Sequence, residues 1–357
     1  MLGNYKRMTV SHLTAQYQTS IGTHIYRLPV EAFPGMWANT YLVKTADELI
    51  LIDTGSGSEK SNADLAAGLT QAGFRFEDLT RILLTHGHID HFGGLVYLQE
   101  HTDAPIGLHE LDLQTVAHHE ERLALMTRRV KAFLSQAGVP DEHRDELIQM
   151  FRFTKLLYHS VPVDFTYEAN DMQIGPFEMI HLPGHCPGHV AIKLDDVVFS
   201  GDLVLERIIP HQSPEDLTPY MGLRHYLESL TALKHWSEGA SLILNGHDDP
   251  ITDLPGRITD IRQHMSGRIR QTLEALSEPR TIAEVTQQVY GQMGGYNSLL
   301  VLEKIGAYVE NLYQRGLLEI TNLDEFDNGQ PAAVRYRRLH EVNDSEILPK
   351  EKRYVFV

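Results

Sequence analysis

The sequence predicts a mixed α/β protein in two parts: a strand-rich front part interrupted by helices, then a helical region that closes on a hairpin. Three observations carry this. Short apolar runs in the front part stop at glycine-containing turns, as buried strands do. Between them lie segments with apolar residues at helical spacing. Near Leu254-Pro255-Gly256 the pattern changes to consecutive long helices. A chain of 357 residues suits about two domains.

In order along the chain, Ile25-Tyr26-Arg27-Leu28, Asn39-Thr40-Tyr41-Leu42-Val43 and Glu48-Leu49-Ile50-Leu51-Ile52-Asp53 read as strands, with Met36-Trp37 on the loop before Asn39. Leu65, Leu69 and Ala72 mark a helix closed by Gly73. Leu79 to Thr85 reads as a buried strand running into His86. Residues 109–160 read as a helical insertion, with a break at Gly138-Val139-Pro140. Strands resume at Phe177 to Leu182 and Asp196 to Ser200, followed by a helix over about 222–236 and a strand at Ser241-Leu242-Ile243-Leu244. The later helices span about Arg257–Leu276, a segment opened by Thr281 and Glu284 at capping-box spacing, and about Leu299–Gln314 before Gly316. Leu317-Leu318-Glu319-Ile320 and Ala333 to Arg337 flank a polar turn as a hairpin.

Hydrophobic residues at 42% and charged residues at 22% are those of a globular chain. One cysteine excludes an internal disulfide framework. No apolar run reaches the ~20 residues that span a bilayer, and no signal-peptide core follows the N-terminus, so a cytoplasmic location without membrane contact is expected. The net charge is −17, of which −16 falls on residues 1–255 and −1 on 256–357. Such a front part repels polyanions, which disfavours nucleic acid as a partner and favours a small molecule.

Twenty histidines are the other anomaly. Three imidazoles and a carboxylate occur within six residues in Thr85-His86-Gly87-His88-Ile89-Asp90-His91, at the end of a buried strand. N and O donors so spaced suit one or two divalent ions of the zinc class. Three further strands each deliver one ligand-capable residue through a glycine: Gly184-His185, Gly201-Asp202 and Gly246-His247. Four strand ends aimed at one place describe a site on the rim of a β-sandwich. His101, His109, His118, His119 and His143 read as surface residues, and His211 as a residue near the substrate.

This set, an HxHxDH string followed by Gly-His, Gly-Asp and Gly-His in that order, resembles the metallo-β-lactamase superfamily over about residues 21–250. The resemblance implies an αββα sandwich over 1–255, with the insertion at about 109–160. Beyond it are expected a winged-helix-like domain over 256–340 and a charged tail over 341–357. It implies that His86, His88 and His185 hold one metal and Asp90, His91 and His247 the other, with Asp202 bridging; that Asp90 also orients the nucleophile; and that Asp53 is a buried acid orienting the ligands. Zinc is the first expectation for the two divalent ions, with iron or manganese as alternatives.

Asp202 stands where one antibiotic-hydrolysing subclass carries Cys, and His88 where the oxygen-reducing branch carries Glu. The segment Leu182-Pro183-Gly184-His185-Cys186-Pro187-Gly188-His189 is similar to the loop of glyoxalase II, with Cys186 in place of Thr as a small buried filler. The implied activity is hydrolysis of a small ester, thioester or lactone by a metal-bridging hydroxide. The alternative is a nucleic-acid-processing phosphodiesterase with the same metals. Arg335, Arg337 and Arg338 are the one basic cluster on the expected wing. The third C-terminal helix lacks a basic face, so the C-terminal region is expected to be a packing scaffold or a homodimer surface.

Overall fold

The computed structural model describes residues 14–326 and 333–348. The seven strands of the first sheet lie in chain order: β1 (Ala15–Gln18), β2 (His24–Phe33), β3 (Met36–Lys44), β4 (Leu49–Ile52), β5 (Arg81–Leu83), β6 (Ile106–Leu108) and β7 (Phe165–Thr166). Pairing is antiparallel from β1 to β4 and parallel from β4 to β7. Parallel neighbours need crossovers. These are α1 (Glu59–Ala72) between β4 and β5, α2 (Ile89–Phe92) with α3 (Leu95–Gln99) between β5 and β6, and α4 (Glu110–Ala117), α5 (His119–Gln136) and α6 (Asp141–Phe153) between β6 and β7. The second sheet has the order β12-β11-β10-β9-β8. Its strands are β8 (Gln173–Ile174), β9 (Phe177–His181), β10 (Val190–Leu194), β11 (Val197–Phe199) and β12 (Leu242–Leu244), with α7 (Leu223–Trp236) joining the parallel pair β11 and β12.

The two sheets face each other. Ile50, Ile52, Tyr41 and Leu83 of the first meet Val190, Ile192, Val197, Phe199 and Leu244 of the second in one core. Leu49 and Leu51, on the opposite face of β4, pack with Leu65 and Leu69 of α1 and Leu95 and Leu98 of α3. Both faces of β4 are therefore buried, which is why its sequence is an unbroken apolar run. The outer face of the second sheet, through Ala191, Val198 and Ile243, joins a third core with α7 and the helices that follow. The layers are helix, sheet, sheet, helix, the αββα sandwich expected from the sequence.

The C-terminal region consists of α8 (Leu254–Ala275), α9 (Ile282–Tyr290), α10 (Tyr296–Gln314), β13 (Leu318–Ile320), α11 (Leu323–Phe326), β14 (Tyr336–Arg338) and α12 (Asp344–Ile347). The capping box forms as the spacing predicted: Glu284 N–H donates to Thr281 Oγ1 at 3.2 Å, and Thr281 N–H to the Glu284 carboxylate at 2.7 Å. β13 and β14 pair antiparallel, with Leu318 opposite Arg338. Ile258, Ile261, Ile269, Ile305 and Tyr308 of this region share one core with Leu123, Val130 and Phe133 of α5 and Tyr226 of α7.

Three local readings change. α8 begins at Leu254 instead of near Arg257, because Asp253 caps it and Pro255 is tolerated in a first helical turn. Met36 and Trp37 belong to β3, opposite Phe33 and Glu31, and are not a loop. His109 and His119 are buried, not surface residues. His109 stacks on His181 at 3.9 Å and meets Glu168 at 2.7 Å, while His119 is held between the carbonyls of Thr115 and Lys155. Of the expected charged tail, residues 349–357 lie outside the described residues, as does the N-terminal segment 1–13.

Candidate metal centre

The rim of the sandwich is built from the ends of four strands. β5 leads to His86, β9 to His185, β11 to Asp202 and β12 to His247. His88, Asp90 and His91 follow His86 into the short helix α2, whose turn brings His91 back beneath the string. The structure brings all seven predicted side chains together. Donor atoms of His86, His88 and His185 lie within 4.8 Å of one another, as do those of His86, His91 and Asp202 and those of Asp90, His91 and His247. Asp202 sits centrally: its Oδ2 is 2.9 Å from His247 Nε2 and 3.6 Å from His185 Nε2, and its Oδ1 is 3.5 Å from His91 Nε2.

Four of the five imidazoles are aimed from behind, while His88 Nδ1 meets His86 Nε2 at 3.1 Å. Nδ1 of His91 donates to Asp53 at 2.8 Å, that of His185 to the His211 carbonyl at 3.1 Å, and that of His247 to the Trp37 carbonyl at 2.6 Å. His86 Nδ1 donates to Thr85 Oγ1 at 3.0 Å, and that hydroxyl donates to Asp53. An Nδ1–H bond of this kind fixes the tautomer that leaves Nε2 as a free donor atom. Asp53 also accepts from the Thr85 N–H at 2.8 Å, so one buried carboxylate, at φ 59° directly after β4, holds both the string and His91.

Two features escaped the sequence reading. Asp112, fully buried in the first turn of α4, accepts from Gly87 N–H at 2.7 Å, Gly188 N–H at 2.9 Å and the Cys186 thiol at 3.2 Å. It ties the His86–His88 loop to the His185 loop, and Cys186 is a donor in that tie as well as a filler. A Cβ at Gly188 would come within 2.7 Å of the Asp112 carboxyl carbon, which is why glycine stands there. In the sequence Asp112 is one more acid at a helix start and carries no distinguishing signal. His189, also buried, accepts from the Asp202 N–H at 3.0 Å and so positions the central carboxylate.

The electrostatics suit a cation. Burial, then neighbouring imidazoles, hold His86 and His88 well below the usual histidine range, so both are neutral ligand-ready rings. Burial also acts to lower His91 and His247, but nearby carboxylates outweigh it: Asp202, Asp53 and Asp90 at His91, and Asp202 and Asp90 at His247. His91 lies well above the usual range and His247 is pushed up to about 9. Protons on these rings stand where divalent charge would balance the acids, and metal binding would release them. Among the described residues, His91 Nε2, His185 Nε2 and Asp202 Oδ1 are buried without any hydrogen-bond partner. Orphaned donor atoms converging from three strand ends fit a divalent ion, because burial of such atoms without a partner is otherwise costly.

The metallo-β-lactamase superfamily model matches residues 38–247. The chain belongs to that superfamily and is a metal-dependent hydrolase by that membership. It is 23% identical over 288 residues to the probable metallo-hydrolase YqjP of Bacillus subtilis, covering 76% of this chain and 86% of that one. It is 24% identical over 266 residues to an atrochrysone carboxyl ACP thioesterase of Aspergillus chevalieri, covering 71% and 68%. The crystal structure of the metallo-β-lactamase family protein TTHA1429 from Thermus thermophilus superimposes with a TM-score of 0.68 at 25% identity, over 88% of this chain and 98% of that one. No helix among the described residues is long and apolar enough to cross a membrane.

Proposed function

We propose that the chain is a dinuclear metal-dependent hydrolase acting at the acyl carbon of a small ester, thioester or lactone. The observation that carries the reading is the convergence of seven ligand side chains with orphaned inward atoms. His86, His88 and His185 would hold one ion and Asp90, His91 and His247 the other, with Asp202 available to both. Bound there, a pair of divalent cations, zinc in the first instance, supplies Lewis acidity toward water and the scissile oxygen. The chain's own part is to hold donors rigid and to manage protons. Asp53, the Trp37 and His211 carbonyls and Asp112 hold the candidate ligands in place ahead of any ion or substrate. Asp90, half-buried with Oδ2 3.4 Å from His247 Nε2, is the carboxylate placed to orient an attacking water and accept its proton.

The acidic front part and the resemblance to a thioesterase support an acyl substrate over a polyanion. The phosphodiesterase reading loses its basic wing. Arg337 bonds Glu319 at 2.9 Å, Arg338 bonds Glu341 at 3.1 Å, and Arg335 lies 3.9 Å from Glu284. Three helices followed by a hairpin support a winged-helix-like C-terminal region that serves as scaffold. Metal analysis, with turnover of p-nitrophenyl esters, lactones, thioesters and bis-p-nitrophenyl phosphate, tests the reading. Phosphodiester cleavage with far higher kcat/KM than any acyl substrate would replace it with the alternative.

A further inference from the structure

Between Gly201 and Gly222 the chain runs 22 residues without helix or strand. Loops of this length inside a compact domain are uncommon and usually functional. This one begins at Asp202 and carries the His211 carbonyl that receives the His185 Nδ1–H. Arg207 ties it to Asp248 and Asp249 at 2.9 and 2.8 Å and the Tyr226 hydroxyl of α7 holds the Leu203 carbonyl at 2.9 Å, and the C-terminal helices supply a further set of anchors. From α8, Arg257 donates through Nε to the Leu205 carbonyl at 2.7 Å and through Nη2 to the Ile208 carbonyl at 2.8 Å. From α10, Glu303 accepts from His211 Nε2 at 2.8 Å, and Glu310 accepts the N–H groups of Glu215 and Asp216 at 2.8 and 3.0 Å. Gly306 lies on the same face, where an added Cβ would come within 2.9 Å of Pro214. Residues 303, 306 and 310 recur at the spacing of one helix face, and that face is a cradle for the loop.

We propose that α10 is a working part of the hydrolytic site, with Glu303 the positioning residue that holds His211 so that the His211 carbonyl aims His185. Glu303 is 8% exposed, whereas the His211 side chain keeps 22% of its surface. A carboxylate that deep in a helix interface is poorly solvated, so its bond to His211 is strong and directional. Freed from it, the His211 ring loses that hold, the nearest other hydrogen bonds from the loop to the C-terminal helices being at Ile208 and Glu215, and the His185 Nδ1 partner shifts with it. The C-terminal region then completes the site from outside the family-matched segment 38–247.

The inference rests on the metal-hydrolase reading, and the test separates the two. Co2+ alone is titrated into the chelator-stripped full chain, read by visible absorption and by competition with a chromophoric chelator. Glu303→Ala should weaken Co2+ binding about tenfold, the low end for residues that orient metal ligands, and should alter the absorption of the bound ion. Glu303→Gln keeps an oxygen that accepts from His211 and should stay within about threefold of the parent. Glu303→Ala combined with His211→Ala should bind no more weakly than Glu303→Ala alone, since both act through one bond. Parental affinity and spectrum in Glu303→Ala would overturn the inference. So would equal losses in the Ala and Gln variants accompanied by equal falls in melting temperature, which would mark a defect of folding only. A parent chain that binds no Co2+ would instead refute the metal-hydrolase reading itself, and the inference with it.

Discussion

Replacing Asp112 by Ala should damage this protein more than any change at an equally buried helix-start acid. The carboxylate takes two backbone N–H donors and a thiol. Removing it leaves the Gly87 and Gly188 N–H groups buried, and a buried donor left unpaired costs about 1–3 kcal/mol. Two such donors give roughly 2–6 kcal/mol, with little water able to enter because Asp112, Cys186 and His86 are all buried. Asp112→Asn removes less. Its amide oxygen satisfies one N–H and its NH2 opposes the other, so about half the loss, roughly 1–3 kcal/mol, is expected. Denaturant unfolding of chelator-treated protein measures this apart from ion binding. In parallel, metal affinity should fall in the Ala variant, since the loops of His86 and His185 lose their common tie. A midpoint and metal affinity unchanged in Asp112→Ala would refute the argument that this carboxylate holds the two loops in register.

Further outcomes follow from the same geometry. Gly246→Ala should abolish metal binding and activity, because its Cβ would overlap the Asp202 Oδ1 position; a variant with parental metal content would show the loop to be free to move. His86→Ala should lower the metal stoichiometry, and Asp202→Ala should disturb both ions, both read by elemental analysis; full content in the Asp202 variant would remove its bridging role. Burial pushes the Glu310 carboxyl up to about 7, against the opposing pull of the Asp216 and Glu215 N–H groups. A carboxyl raised in the folded state keeps its full contribution below the unfolded pKa of about 4.5 and loses it as pH rises through about 7. Discounted for its partial exposure, the loss between pH 5 and 8 is about 1–2 kcal/mol. Glu310→Gln should lack it, so the stability difference between parent and variant should change across that window; a difference independent of pH would show that Glu310 ionises as an exposed acid does. Neutralising Arg335, Arg337 and Arg338 together should leave hydrolysis of small substrates unchanged, and tight RNA or DNA binding lost in that variant would reverse the ranking of the two substrate classes.

The strands and the candidate ligands were legible because both are written in short local patterns, and the family resemblance of those motifs implied the αββα sandwich. Leu49 to Ile52 and Val197 to Phe199 are apolar on both faces, and a strand must be buried on both to look so. The ligands follow such strands immediately, so the strand end places the side chain within a few residues of the signal. The capping box of α9 was equally plain, since its two partners are three residues apart. Where capping competed with pattern, as at Asp253 and Pro255, the boundary moved by a single turn.

What the sequence by itself determined is the strand and helix order, the helical stretch at 109–160 and, through the resemblance its motifs carry, the layer order and the seven candidate ligands, because each is written among neighbours in the chain. Only the tertiary structure decided what holds them. Asp112 meets Gly188 across 76 residues, His247 meets the Trp37 carbonyl across 210, and Glu303 meets His211 across 92. These are single acids or plain carbonyls, with no motif around them, and a hydrogen bond needs only that two surfaces pack at one distance. The burial of His109 and His119 was hidden for the same reason: an imidazole in a polar helix looks like a surface residue until its partners, Glu168, Thr115 and Lys155, close around it. Side-chain chemistry is local and can be read along the chain, whereas the orientation of that chemistry is set by packing between distant segments.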